Sequence, residues 1–371
     1  MMPLQDGGKY KMSSHKLSHP LPRHTLRATL LVLVTSITSG CFTPGRIQGF
    51  NYNVTEIPHV PAPPIPANPY QQLAEKYAPV VYYDAHEVNR PADVDWFLGL
   101  TNLWYFDART NLRLPIKHAP TPKELNWLQK GIQQGEPKRD FSADSFDWRD
   151  PKRQSTFFLE TVSEELRKGC NPEKWNTYYH AYPNTSNGIT IQYWRFYAFN
   201  SGFLGLGDHG GDWECAQVVL GADDKPISLR LLGHRDITVV NWKCVHCEKE
   251  THPVIVATRG SHTSEIPKSN EQLSTMIRHE SHTNGQVTFP DGRTVTGGAL
   301  FNLGEKGKPA SEKVYFVNYS GLWGSPNTLW LNNGYWGPAF NETGMTPDGT
   351  CAAWCGDMKD PPAEIAHTHG P

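Results

Sequence analysis

From Trp175 onward the chain is a succession of short β-type runs cut by turn-rich pieces. NTYYHAY, GITIQYWRFYAF, WECAQVVL, ISLRLLG, ITVVNW, PVIVATR and KVYFVNY are separated by segments such as ADDKP, HRD and FPDGR. Strands at such short intervals predict a sandwich or a barrel, and no strand–helix alternation supports a parallel α/β fold. YAPVVYY, at 77–83, reads as a further strand. TPKELNWLQKGIQQ predicts a helix, with Thr121 as N-cap, Pro122 in the first turn and Glu124 closing a capping box; a second is expected near 160–168. The expected fold is mainly β, an antiparallel β-sandwich with a few peripheral helices. With 32 Gly and 30 Pro the chain has residues for many turns and few long helices. Aromatic residues make up 11%, and Trp194, Trp213, Trp323, Trp330 and Trp336 are expected mainly in the core.

The two ends read differently. Lys9, Lys11, Lys16, Arg23 and Arg27 precede an apolar stretch at 28–40, too short to span a bilayer, which needs ~20 apolar residues. Ser39-Gly40-Cys41 follows and resembles a bacterial lipobox, with Thr38 where that motif usually has leucine. Residues 1–40 are read as a signal peptide, with Met12 as an alternative start, and Cys41 as the acylated first residue of the mature chain. The expected location is outside the cytoplasm, as a membrane-anchored lipoprotein or a secreted protein. Residues 41–70 form a tether in which Pro58, Pro61, Pro63, Pro64, Pro66 and Pro69 favour an extended polyproline spacer. The domain is assigned to 71–345, and 346–371 is a cysteine-containing tail. Net charge is −2 and no basic stripe occurs, which argues against a nucleic-acid partner.

Cys170, Cys215, Cys244, Cys247, Cys351 and Cys355 remain once Cys41 is set aside. An even number in an exported chain points to disulfides, whose connectivity sequence does not give; zinc held by CVHC and CAAWC is the alternative. Sequons occur at Asn53, Asn184, Asn318 and Asn341, relevant only in a eukaryotic secretory route.

The densest polar segment is GDHGGDWE, Gly207 to Glu214. In an extended strand Asp212 and Glu214 face one way, and Trp213 and Cys215 the other. Two carboxylates on one face repel unless something positive lies between them. A turn at Gly210-Gly211 would bring His209, and more weakly Asp208, to the same point. Oxygen ligands with one imidazole suit Ca²⁺, Mg²⁺ or Mn²⁺. The alternative is that the acids cap a turn and pair with nearby Arg or Lys. A second polar cluster, ATRGSHTSEIP, places Arg259, Ser261, His262 and Glu265 after an apolar strand. His262 is the weak candidate for a catalytic acid or base, or else it shapes a loop; no GxSxG elbow or HExxH accompanies it.

YAPVVYYDAHEVNRPADVDWFL, ITIQYWRFYAFN, GDHGGDWECAQVVL and ATRGSHTSEIP together resemble the vacuolar protein sorting-associated protein 62 family, over roughly residues 72–340. That resemblance implies no defined chemistry. A more distant likeness is to necrosis- and ethylene-inducing proteins, whose hallmark reads glycine, histidine, any residue, histidine, aspartate, tryptophan, glutamate. His209, Asp212 and Glu214 match its cation-binding positions, and Gly211 replaces its second histidine. The likeness implies a divalent cation within a β-sandwich. The expected function is recognition of a lipid head group or glycan, with a metal-dependent hydrolase and a structural or adhesion protein as alternatives.

Overall fold

The computed structural model describes residues 69–107, 112–126, 156–161, 164–184, 187–232, 237–282, 284–305, 307–319, 321–326 and 334–340. The chain divides into two units, Met1–Asn53 and Val54–Pro371, and the described residues all belong to the second. The leader, Cys41, Cys351, Cys355, Trp330 and most of the tether lie outside them.

The strands in chain order are β1 (Val80–Tyr83), β2 (Thr101–Asp107), β3 (Leu112–His118), β4 (Thr156–Thr161), β5 (Thr177–Pro183), β6 (Ile189–Asn200), β7 (His209–Leu220), β8 (Pro226–Leu232), β9 (Ile237–Asn241), β10 (Cys247–Glu248), β11 (His252–Ala257), β12 (Ser264–Glu265), β13 (Ile277–Glu280), β14 (Gln286–Thr288), β15 (Thr294–Thr296) and β16 (Leu300–Asn302). The helices α1 (Gln71–Lys76), α2 (Val94–Leu98) and α3 (Asn270–Ser274) are short. One sheet has the order β10-β11-β1-β13-β14-β15, with β12 paired to β11; a second has the order β16-β5-β6-β7-β8-β9; a third is β3-β2-β4. Pairing is antiparallel except for β1 with β11 and β5 with β16. The fold is mainly β, as the strand spacing predicts.

The first two sheets enclose a core in which Val81, Tyr83, Ile255 and Ile277 meet Tyr193, Tyr197, Ala216, Val218 and Leu220. The opposite face of β6 and β7 enters a second core. There Trp194, Phe196, Trp213 and Cys215 pack with Phe97, Leu103, Phe158, Phe316 and Trp323. β6 and β7 are therefore the middle of three layers, and a strand covered on both faces reads as a near-continuous apolar run. That is why ITIQYWRFYAF shows so little alternation. Trp213 and Trp323 meet edge to face with ring centroids 5.2 Å apart. The four described tryptophans of the five singled out in the sequence are core residues.

Three expectations are corrected. KVYFVNY is not a strand: Glu312–Asn318 is a 3₁₀ run whose Val314 to Asn318 are all buried. An apolar run covered on every side carries no period, so length and composition alone misassign it. The Thr121/Glu124 capping box is present, but it opens a single 3₁₀ turn, Pro122–Leu125, and residues beyond Asn126 lie outside the described ones. The helix expected near 160–168 is likewise a short 3₁₀ turn, Glu164–Lys168.

The described cysteines, Cys170, Cys215, Cys244 and Cys247, are free thiols and form no disulfide. Cys170 Sγ accepts from the Asp93 N–H at 3.3 Å, and burial pushes its thiol up to about 12. Cys215 is sealed in the second core, where burial also raises its thiol. Asn318 is buried and donates to Asn126 Oδ1 at 2.6 Å, so its sequon is not open to a glycan in the folded domain.

Candidate functional site

The acidic segment is strand rather than turn. β7 begins at His209, opposite Asn200, and continues in register through Asp212 opposite Tyr197 and Glu214 opposite Arg195. Gly210-Gly211 does not reverse the chain, which corrects the expected turn. Gly211 instead has φ +62°, and a Cβ there would lie 2.0 Å from the Trp323 carbonyl oxygen. Strict alternation would put His209 and Asp212 on opposite faces. With the left-handed residue between them, His209 Nε2 comes to 4.0 Å from Asp212 Oδ1. Asp212 and Glu214 share the face between the large sheets, at 1% and 2% exposure, while Trp213 and Cys215 enter the other core. Asp208 stands apart: its Oδ1 accepts the Gly202 N–H at 2.8 Å and staples the β6–β7 loop.

The structure brings residues to Asp212 that the sequence reading did not connect with it. His262, from the loop after β11, is fully buried, has φ +55°, and its Nδ1 lies 3.0 Å from Asp212 Oδ2. Its ring stacks flat on Tyr197, with centroids 3.8 Å apart. His262 Nε2 makes no hydrogen bond and faces Glu87 Oε2 at 3.9 Å. Glu87 in turn accepts the Gly260 N–H at 2.6 Å and the Asn89 N–H at 2.7 Å. Asn89 Nδ2 donates to Ser201 Oγ, and the Ser201 N–H donates to the Gly260 carbonyl at 3.0 Å. One buried polar net thus ties together the loops at 84–93, 201–208 and 258–263. Ser261 bonds to Thr258 at 2.7 Å, and Arg259 and Glu265 are exposed.

Arg195 is a buried cation beside this net. Its Nη2 donates to Ser264 Oγ at 2.5 Å, while its Nε and Nη1 have no hydrogen-bond partner. Burial, followed by the charge of Asp212, pushes the Glu214 carboxyl well above the usual carboxylate range, against the pull of Arg195. Among the described residues no group of three or more His, Cys, Asp or Glu side chains is disposed to hold a metal ion. His209, Asp212 and Glu214 are neighbours here, not an assembled ligand set. Arg195 was legible as a charge within an otherwise apolar strand. Glu87 carried no such signal.

His279, across the core on β13, is also fully buried, and neither ring nitrogen has a hydrogen-bond partner. Burial, and then the charges of Arg195 and His282, lower its pKa to about 3. The unfolded chain takes up this proton below its ordinary value, about 6.5, while the folded chain refuses it until about pH 3. Stability attributable to this group is therefore lost as pH falls from 6.5 towards 3, at up to ~1.4 kcal/mol per pH unit. Denaturant melts across that range should show His279→Phe losing close to one proton of this dependence. An unchanged slope would place the acid sensitivity elsewhere.

No family model matches the chain, and no curated protein matches it. The resemblance to the vacuolar protein sorting-associated protein 62 family rests on its sequence blocks alone. Among solved structures it is similar to Necrosis and Ethylene inducing Protein 2 from the causal agent of cocoa's Witches Broom disease. That match has 12% identity, covers 68% of this chain and 80% of that one, and has a TM-score of 0.31. It is also similar to NLPPya in complex with glucosamine, at 15% identity over 56% of this chain and 74% of that one, with a TM-score of 0.29. Likenesses this distant carry no argument, and the fold assignment stands on the strand pairing above.

Proposed function

We propose that this domain is a non-enzymatic recognition module for a lipid head group or a glycan, with a divalent cation held by His209, Asp212 and Glu214. What supports the reading is the burial of two carboxylates on one strand face. Glu87 and Asp212 set their carboxylates against the one guanidinium of Arg195, and Asp212 opposes the ionisation of Glu214 beside it. A dication would offset that imbalance, and two carboxylates with an imidazole are a donor set that Ca²⁺ or Mg²⁺ accepts. A bound ion would present positive charge to phosphate or sugar oxygens. Because the set is not assembled, loading it requires the Asp212 and Glu214 side chains to turn. In this reading the leader and Cys41 deliver the domain to the outside of a membrane. Fractionation of cells expressing the chain and its Cys41→Ser variant tests that part.

A ligand that binds only the folded state stabilises it by RT ln(1 + [L]/Kd), about 2.7 kcal/mol at a hundredfold excess over Kd. Calcium or magnesium should therefore raise the melting temperature, a chelator should reverse the rise, and Asp212→Asn should remove most of the difference. One observation favours a second, structural reading: the Asp212–His262 and Glu87–Gly260 hydrogen bonds already join the loops. A melting temperature indifferent to cation and chelator would sink the cation and leave that reading. His262, buried and covered by Tyr197, is not placed to meet a substrate, and no specific observation favours a hydrolase.

A further inference from the structure

Two histidines far apart in the chain meet on the face of the first sheet that is turned away from the second. β1 runs parallel to β11 and antiparallel to β13, so the start of β11 and the end of β13 lie at the same end of the sheet. Val80 pairs with Val254 on one side and with Glu280 on the other. Val80 and Val254 pack with Leu273 and Met276, apart from the core between the sheets, and strand alternation keeps His252 on the face of Val254. His252 lies two residues before Val254, and His282 lies two residues beyond Glu280. Their rings come together there, with centroids 5.7 Å apart and planes inclined at 40°. Both side chains are partly exposed.

Each ring is oriented through one nitrogen. His252 Nδ1 is 2.8 Å from the Ala78 carbonyl oxygen, which can only accept. Nδ1 therefore carries the proton, and the lone pair of the neutral ring sits on Nε2. Burial, and then the charges of His282 and Lys249, hold the His252 pKa below its ordinary value against the pull of the Ala78 carbonyl, which favours that neutral ring. His282 Nε2 is 2.6 Å from Glu280 Oε2. Burial raises the Glu280 carboxyl, and the bonds from Arg278 and Lys249 more than reverse this, to about 2. An ionised carboxylate also only accepts, so Nε2 carries the His282 proton and Nδ1 the lone pair of its neutral ring.

A carbonyl on one histidine and a carboxylate on the other are the outer-shell partners that fix the tautomer of a metal-binding imidazole. Two imidazoles on one tetrahedral ion, at Zn–N distances of ~2.0–2.1 Å, have ring centres about 5 Å apart. The side-chain charges bonded around the pair cancel, Glu248 and Glu280 against Arg278 and Lys249. We propose that His252 and His282 bind a divalent transition cation of the Zn²⁺ or Ni²⁺ kind, His252 through Nε2 and His282 through Nδ1, with water completing the coordination. Imidazole pairs select such ions over Ca²⁺ and Mg²⁺, which take oxygen. Glu280 orients His282 and is itself committed to Arg278 and Lys249, so the chain supplies two ligands here and not three. This site shares no residue with the acidic face of β7.

Acylation of the full chain by diethyl pyrocarbonate at neutral pH, read residue by residue by mass spectrometry, tests this at the rings. Zn²⁺ should protect His252 and His282 together, with one midpoint, and Ca²⁺ should protect neither. Both readings are made on the native chain and need no variant. His252→Gln should raise the Zn²⁺ concentration that protects His282 by about tenfold or more, and His282→Gln should do the same for His252. Glu280→Gln, which removes the outer-shell charge, should raise both by about tenfold. Asp212→Asn and Cys244→Ser should leave the joint protection in place. Absent protection, separate midpoints, or protection of one ring that survives loss of the other would overturn the site, as would equal protection by Ca²⁺. So would protection abolished by Asp212→Asn or Cys244→Ser, which would place the ion at β7 or at the thiols.

Discussion

Gly211→Ala should destabilise the domain by about 3 kcal/mol or more, whereas Gly210→Ala should be close to neutral. The two glycines are adjacent in one strand, and their surroundings differ. A Cβ on Gly211 would lie 2.0 Å from the Trp323 carbonyl oxygen and 2.5 Å from Trp323 Cβ, at a φ of +62° that L residues avoid. A Cβ on Gly210 would meet nothing closer than Gly324 Cα, at 3.6 Å, an ordinary contact. The obstruction at Gly211 is backbone, so no rotamer relieves it, and Trp323 is itself fixed among Phe97, Phe196 and Trp213. Relief would have to come from parting β7 from the Trp323 segment, which would open the second core. Urea melts of the two variants read the difference directly, and similar midpoints would mean that Trp323 does not cross at Gly211.

The legible part of this fold is the part fixed by local rules. β6 and β7 announce themselves by unbroken apolar and aromatic runs, and the shared face of Asp212 and Glu214 follows from strand alternation. Gly210-Gly211 misled, because glycine pairs commonly mark turns, while here glycine answers to Trp323, far along the chain. KVYFVNY misled for a related reason: enclosure on all sides erases the period that separates strand from helix. Glu87 and His262 were out of reach for sequence reasoning as partners of Asp212. Their loops meet only because β1 and β11 lie side by side, in a parallel pairing that no local pattern encodes. Sequence thus supplied the acidic face, and the long-range strand order supplied most of what it touches.

Arg195 gives the other large effect. Arg195→Met should cost about 3 kcal/mol at neutral pH, because it takes from the core the cation that opposes the repulsion between Asp212 and Glu214. The guanidinium is 2% exposed, sits opposite Glu214 in the β6–β7 register, and is the positive influence that opposes the rise in the Glu214 carboxyl. Without it, Asp212 and Glu214, on one face of β7, lose the counter-charge beside them in the low-dielectric core. Loss of packing alone would also destabilise the domain, so the single variant does not identify the cause. The cycle with Glu214→Gln does. Glu214→Gln keeps the shape while removing the carboxyl whose ionised form Asp212 opposes and Arg195 favours. If Arg195 acts through charge, Arg195→Met should cost at least ~1 kcal/mol less in the Glu214→Gln background than in the native chain. Measured in chelator, so that no added ion substitutes for the guanidinium, denaturant melts of the four proteins give this coupling. Additivity within ~0.5 kcal/mol would reduce Arg195 to a packing residue bonded to Ser264. A clear coupling would establish that β6 supplies the standing positive charge beside the acidic face of β7.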